Sequence, residues 1–210
     1  MRKWYPAVVI AAAFVLSIAV YGRLPNPMPV HWDASGHVNG YGSRAFGAFF
    51  APIMALVIWG MMRWLPTIDP RRENYAKFQG TYDLVVDTVV TLLVAIHLGV
   101  IGAALGWPVR IERMMPLVMG VMFLVLGPVL PRARSNWWFG IRTPWTLTSD
   151  TVWTRTHRVG GYLMSAAGVV TVLSALLPPR WSFGVMMAAI GIASLGSVAY
   201  SYFAWRSEQS

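Results

Sequence analysis

The chain has 210 residues, 56% of them hydrophobic and 12% charged, with a mean hydropathy of +0.53 and a formal charge of +9. That balance excludes an ordinary soluble domain and places the chain among integral membrane proteins. Cysteine is absent, which excludes disulfides, thiolate catalysis and Cys-ligated metals. The basic excess fits Lys and Arg gathered on cytoplasmic loops, without direct contact to nucleic acid.

Six apolar runs are expected to cross a membrane, so the fold class is an all-α integral membrane protein, a six-helix bundle. The first covers about 4–21, behind Arg2 and Lys3. Ser17-Ile18-Ala19 has the small-x-small form of a signal-peptide cleavage site, but the apolar stretch continues to Val20-Tyr21, so a retained helix is expected. The loop over 23–44 follows, with three prolines and three glycines that predict an irregular, compact outer segment. Within it His31, Asp33 and His37 are weak candidates for a metal; three converging ligands would be required and this spacing is no established signature, so no metal or other cofactor is expected. The plainer expectation is that Asp33 caps a turn and His31 hydrogen-bonds to backbone.

The second run, about 45–65, ends at Arg63-Trp64, and the polar segment 69–77 after it carries Arg71, Arg72 and Lys77. In the third run, about 82–105, Asp83 and Asp87 share a helix face, and His97 returns roughly to that face, about 15 Å further along. Ionisable groups within a span are costly, so Asp87 is expected to meet a partner, with Arg142 of a cytoplasmic loop the proposed one. The fourth run, about 114–130, should bend at Gly127-Pro128.

Between the fourth run and the fifth, about 159–177, lies a polar, aromatic stretch, 136–161. It holds Trp137, Trp138, Trp145 and Trp153 among Arg142, Arg155 and Arg158, the pairing a membrane–water interface favours. Gly140 and Thr143-Pro144 break any helix through its first half. Ser149 and Asp150 then predict a short helix to Arg158, hinged by Gly160-Gly161 to the next span. In the sixth run, about 183–205, Ala189, Ala193, Ser197 and Ser201 recur every four residues, a stripe for close helix packing.

Two groups of residues carry a resemblance. Leu24-Pro25, Pro29-Val30-His31-Trp32-Asp33, Gly36 and Gly40-Tyr41-Gly42 resemble the N-terminal domain of uncharacterised function in SdpI-type membrane proteins. Asn136, Phe139 through Pro144, Trp153 and Arg158 through Gly161 resemble the C-terminal half of the same family. The chain is therefore read as one membrane domain: a two-helix unit over 1–65 with the outer loop 23–44, and a four-helix SdpI-like part over 82–205 with the cytoplasmic loop 131–158. The resemblance implies a multi-pass protein of the bacterial cytoplasmic membrane that protects a producing cell from a secreted peptide toxin outside. It also implies that the protein holds a DNA-binding repressor at the membrane inside. Partner contacts are then expected at His31, Trp32, Asp33, His37 and Tyr41 on the outer side. On the inner side they are expected at Asn136, Trp138, Arg142, Trp145, Trp153 and Arg158, where membrane lipids are further partners. No Ser-His-Asp elbow, HExxH or phosphate-cradling glycine loop is present, so no enzyme is expected. The alternative is a small proton-coupled transporter built on Asp87 and His97.

Threading six spans with both termini in the cytoplasm places 12 of the 17 Lys and Arg inside and five outside, at 23, 44, 110, 113 and 180, as the positive-inside rule requires.

Overall fold

The computed structural model describes residues 4–209; Arg2 and Lys3, counted in the charge bias, lie outside them. The chain is mostly helical: α1 (Tyr5–Val20), α2 (Arg44–Trp64), α3 (Gln79–Ala104), α4 (Ile111–Leu126), α5 (Pro144–Thr148), α6 (Asp150–Ser174) and α7 (Pro179–Gln209). Among the described residues α1, α2, α3, α4 and α7 are the helices long and apolar enough to cross a membrane. Their outward surfaces carry residues such as Val8, Val15, Ile18, Ile192 and Leu195, all more than 60% exposed. Apolar cover of this extent belongs in lipid, not water. Helix α6 has 25 residues, but its first turns (Asp150 to Arg158) are too polar for it to join the five.

Helix α3 packs on α1, α2 and α4, while α6 lies against both α4 and α7. Successive long helices run in opposite directions, so 21–43, 105–110 and 175–178 gather at one end of the bundle. The segments 65–78 and 127–149 gather at the other.

The first of these ends departs from expectation. The segment 23–44 is not irregular: Met28–Trp32 (β1) and Val38–Gly42 (β2) form an antiparallel hairpin with Met28 opposite Gly42 and Trp32 opposite Val38. Pro29 is tolerated because a two-stranded ribbon has outer edges that need no donor. The turn is tied by Asp33, whose Oδ1 accepts from the amides of Ser35 (2.8 Å) and His37 (2.9 Å), and Gly36 supplies the positive φ of 85°. Met28 and Leu24 anchor the hairpin in a core with Val20, Ala48 and Ile101. Ser43 then caps α2 by accepting from the Phe46 amide at 3.2 Å.

A second departure concerns α6. Ser149 does cap it, accepting from the Val152 amide at 3.2 Å, with Asp150 in the first turn. The helix then runs unbroken through Gly160-Gly161, so the expected short helix and hinge are replaced by one continuous element. These glycines serve close approach. A Cβ on Gly161 would stand 2.7 Å from the Gly127 carbonyl oxygen, and one on Gly127 would stand 2.9 Å from the Gly161 oxygen. The backbones of α6 and the segment after α4 therefore meet without side chains between them. At Gly127-Pro128, where a bend is expected, α4 gives way after Leu126 to a 3-10 helix, Gly127–Arg132. On α7, Ser197 and Ser201 of the small-residue stripe are buried.

Candidate functional site

The two ends of the bundle hold different arrangements of polar groups. At the end shared by 65–78 and 127–149, a set of polar side chains is buried beneath exposed basic ones. Asp69 is 3% exposed; its Oδ1 accepts from the Arg71 amide (2.7 Å) and its Oδ2 from the Tyr75 hydroxyl and the Trp137 amide (both 2.9 Å). Asn136 is fully buried. Its oxygen accepts from the amides of Trp138 (2.9 Å) and Phe139 (2.7 Å) and stands 3.2 Å from the Tyr75 hydroxyl. Its nitrogen donates to the carbonyls of Arg134 (2.8 Å) and Phe139 (3.0 Å). Asp69 and Asn136, joined through Tyr75, thus form one hub fastening two segments that are far apart in sequence. Burial, and then the hydrogen bond to Asp69, push the Tyr75 hydroxyl's pKa far above its ordinary value. Arg71 reinforces the junction by donating to Ser135 Oγ and, at 2.7 Å, to the Leu147 carbonyl.

Beneath the hub lies an aromatic layer of Tyr75, Phe78, Tyr82 and Trp153. Trp153 donates from its indole to the Ala133 carbonyl (2.9 Å) and stacks on His157 at 4.0 Å between ring centroids. His157 Nε2 accepts from the Ile141 amide (3.0 Å), which leaves Nδ1 as the donor to the Trp153 carbonyl (2.8 Å) and defines a neutral ring. Gly140, at φ 109°, passes directly over that ring, where a side chain would collide with Nε2. Thr143 and Thr146 close a capping box at the start of α5, and Thr143 Oγ1 reaches Ser201 Oγ of α7 at 3.0 Å.

Of the inner candidates, Asn136 and Trp153 are therefore internal supports. Trp138 is 40% exposed, Trp145 packs edge-on against Tyr202, and Arg158 is exposed. Arg142 donates to the Trp137 carbonyl at 2.6 Å. It makes no ion pair with Asp83 or Asp87 among the described residues, which corrects the expected pairing: its own loop holds it. Asp83 accepts from Gln79 Nε2 at 2.8 Å. Asp87 lines a lateral, mainly apolar groove of about 920 Å³ between α1, α3 and α4, with Tyr5 and Thr91. His97 is buried against α1, 2.9 Å from Ser17 Oγ, and does not line that groove. Ten residues of helix return a side chain only to within about 80° of its starting direction, so Asp87 and His97 do not share one polar face.

At the hairpin end the polar groups face outward. The hairpin roofs a cleft of about 430 Å³ whose other walls come from α3, α4 and α7. His31, Trp32 and Asp33 line it; His37 and Tyr41 do not. His31 Nδ1 lies 2.5 Å from Asn39 Oδ1, a side-chain partner where a backbone one is expected. His37 Nδ1 is 3.6 Å from Asp33 Oδ2, and no group of three potential ligands converges on a metal position among the described residues. The donated His37 amide is the main cause that holds the Asp33 carboxyl below its ordinary pKa. The floor carries Met114, Met115 and Met186, and Glu112 stands at the rim.

Sequence reasoning passed over Asp69, Tyr75 and His157. The Trp153–His157 spacing of four, one helical turn, was the available signal for the last; nothing local marks the hub.

With this geometry in view, comparison with known proteins is informative. The SdpI/YfhL protein family matches residues 132–201, and a domain of unknown function, DUF1648, matches residues 8–56. The immunity protein SdpI of Bacillus subtilis (strain 168) is 24% identical over 195 residues, covering 93% of this chain and 91% of that protein. No solved structure matches the chain. The first match contains the buried hub residue Asn136 with α5, α6 and most of α7, and the second contains the hairpin. The chain is thus a multi-pass, SdpI-like membrane protein, similar to that immunity protein over nearly its whole length.

Proposed function

We propose that the protein is a non-enzymatic immunity protein of the bacterial cytoplasmic membrane that meets a secreted peptide toxin at its hairpin end. The observation that carries this is the hairpin-roofed cleft, which lies within a chain similar end to end to an immunity protein. Six spans, with α6 as the fifth and both termini cytoplasmic, set the cleft outside. The charge bias supports this threading. The opposite end, with exposed Trp137, Trp138 and Arg158 on a fixed framework, then presents a basic, aromatic surface to a cytoplasmic repressor protein. For toxin outside to alter that surface, the toxin must bind two arrangements of the bundle unequally.

The test is survival of a toxin-sensitive bacterium that carries the protein and is challenged with a peptide toxin encoded near its gene. Protection should survive Arg142→Ala and Trp145→Ala and fail with His31→Ala or Trp32→Ala. Unchanged killing, with the protein shown to be in the membrane, removes immunity as its role. The threading is tested separately with single cysteines in this cysteine-free chain. An impermeant thiol reagent applied to intact cells should label position 35 and not position 150.

A further inference from the structure

The hairpin-roofed cleft pairs an apolar floor with a carboxylate that no described residue engages. Met114, Met115 and Met186 give the floor soft, unbranched surface that can remould around a ligand, with Phe183 and Ile96 beside them and Val30 of the hairpin above. Asp33, also a lining residue, is already engaged by the two turn amides. Glu112 is different. It sits in the first turn of α4, half-buried beneath the hairpin tip, and forms no hydrogen bond or ion pair among the described residues. A Cβ on Gly36 would stand 2.7 Å from Glu112 Oε2, so the hairpin tip lies directly against the carboxylate and a side chain there would have to displace it. A first-turn acid favours its own helix dipole, but that role is served equally well in open water. It does not account for a carboxylate set under the hairpin tip at the rim of an apolar cleft, where a ligand that covers it must replace its water with a donor or cation. Neighbouring Arg110 and Arg113 are exposed and do not line the cleft.

We infer that the cleft takes an amphipathic peptide segment, seating an apolar side chain on the methionine floor and a lysine or terminal amine on Glu112. This rests on the proposed outer peptide site and specifies the chemistry of its ligand: charge sets register and selectivity, and the apolar side chain supplies contact area.

The experiment uses the full chain in phosphatidylcholine nanodiscs. The probes, each with an acetylated N-terminus and an amidated C-terminus so that the lysine carries the one amine, are a synthetic leucine-rich peptide with one lysine, the same peptide with acetyl-lysine, and a glycine–serine peptide with one lysine. A zero-length carbodiimide joins an amine to a touching carboxylate, and mass spectrometry locates the amide. Coupling of the leucine–lysine peptide at Glu112 is expected to exceed that of the glycine–serine peptide by on the order of tenfold, with none for the acetylated probe. Met115→Trp, which fills the floor, should remove the excess. Equal coupling of both lysine peptides, or coupling spread over Asp33 and Glu208, overturns the proposal. So does suppression of the coupling by phosphatidylethanolamine, which would make the cleft a lipid site. Survival assays separate the two claims. If the parent protein protects and Glu112→Gln protects equally, the ligand chemistry is wrong and the immunity reading stands. If the parent fails to protect, immunity falls whatever the cross-link shows.

Discussion

The hub end and the hairpin end spend polar side chains in opposite ways. Around Asp69 and Asn136 carboxylate, amide, phenol and imidazole groups are turned inward and saturated with mostly backbone partners, so the loops behave as an extension of the bundle core. At the hairpin His31, Asp33 and His37 lie at the surface and are satisfied by Asn39, by one another or by the turn, while the space beneath is lined mainly by apolar side chains. A saturated buried network fixes one conformation. A surface hairpin, with its hydrogen bonds open to water, opens at lower cost. Polar residues in a membrane protein's loops therefore need to be sorted into those that build and those that bind.

The sharpest break of this contrast is Asn136→Ala. It strips the Trp138 and Phe139 amides and two carbonyls of their partner. Each buried group left unsatisfied costs about 1–3 kcal/mol, and the sum after relaxation should be roughly 3–4 kcal/mol. Melting in detergent should fall on the order of 10 °C for a chain of this size. Asp69→Ala should cost a similar amount, and the pair should lose less than the sum because the two share Tyr75. His31→Ala should leave melting almost unmoved.

Next in size is Gly161→Ala. A hinge would accept alanine with little change or a slight gain. A close backbone contact requires the helices to part, costing about 1–3 kcal/mol, and the 2.7 Å approach to the Gly127 oxygen predicts the second result. Thermal melting decides between them. Smaller again is Arg142→Ala. With a carbonyl as its partner at an exposed site, the loss should stay below about 1 kcal/mol. It should also add to that of Asp87→Ala within about 0.5 kcal/mol, as for uncoupled residues; a coupled ion pair would break that additivity.

How far the sequence foretold this depends on the range of each interaction. The cap at Ser149, the break at Gly140 and Thr143-Pro144 and the turn at Asp33 are all set within a few residues, and all are present, while five of the six expected apolar runs, all but the one inside α6, are helices long and apolar enough to cross a membrane. The hub joins residues 61 to 68 positions apart, and no local pattern encodes such a pairing. Gly160-Gly161 was ambiguous for a different reason: a missing side chain suits a hinge and a tight contact equally, and only the neighbouring Gly127 decides. Tryptophan misled in the same way. Trp137 and Trp138 are exposed as an interfacial belt requires, yet Trp153, of identical composition, is a buried strut. At the cleft, His31, Trp32 and Asp33 were legible as a cluster, whereas Glu112 approaches them only through the packing of α4 beneath the turn.

The smallest effect expected is a pH response confined to the hairpin. The Asp33 carboxylate accepts two turn amides and its pKa is lowered, chiefly by the His37 amide. A folded pKa below the unfolded value means that the charged form favours the folded turn. Its contribution is thus complete above the unfolded carboxylate range near 4 and fades as pH falls through the lower folded value. Because the group is open to water, the loss should loosen the turn without melting the bundle. Amide exchange at Ser35 and His37 should accelerate under acid relative to neighbouring hairpin amides, after correction for intrinsic rates, while the Trp138 and Phe139 amides stay protected. Asp33→Asn should keep an acceptor but lose the charge, so its exchange at these two amides should be faster at neutral pH and nearly flat across the acid range. Equal acid sensitivity at both ends of the bundle would erase the division between a saturated, buried hub and a water-exposed hairpin.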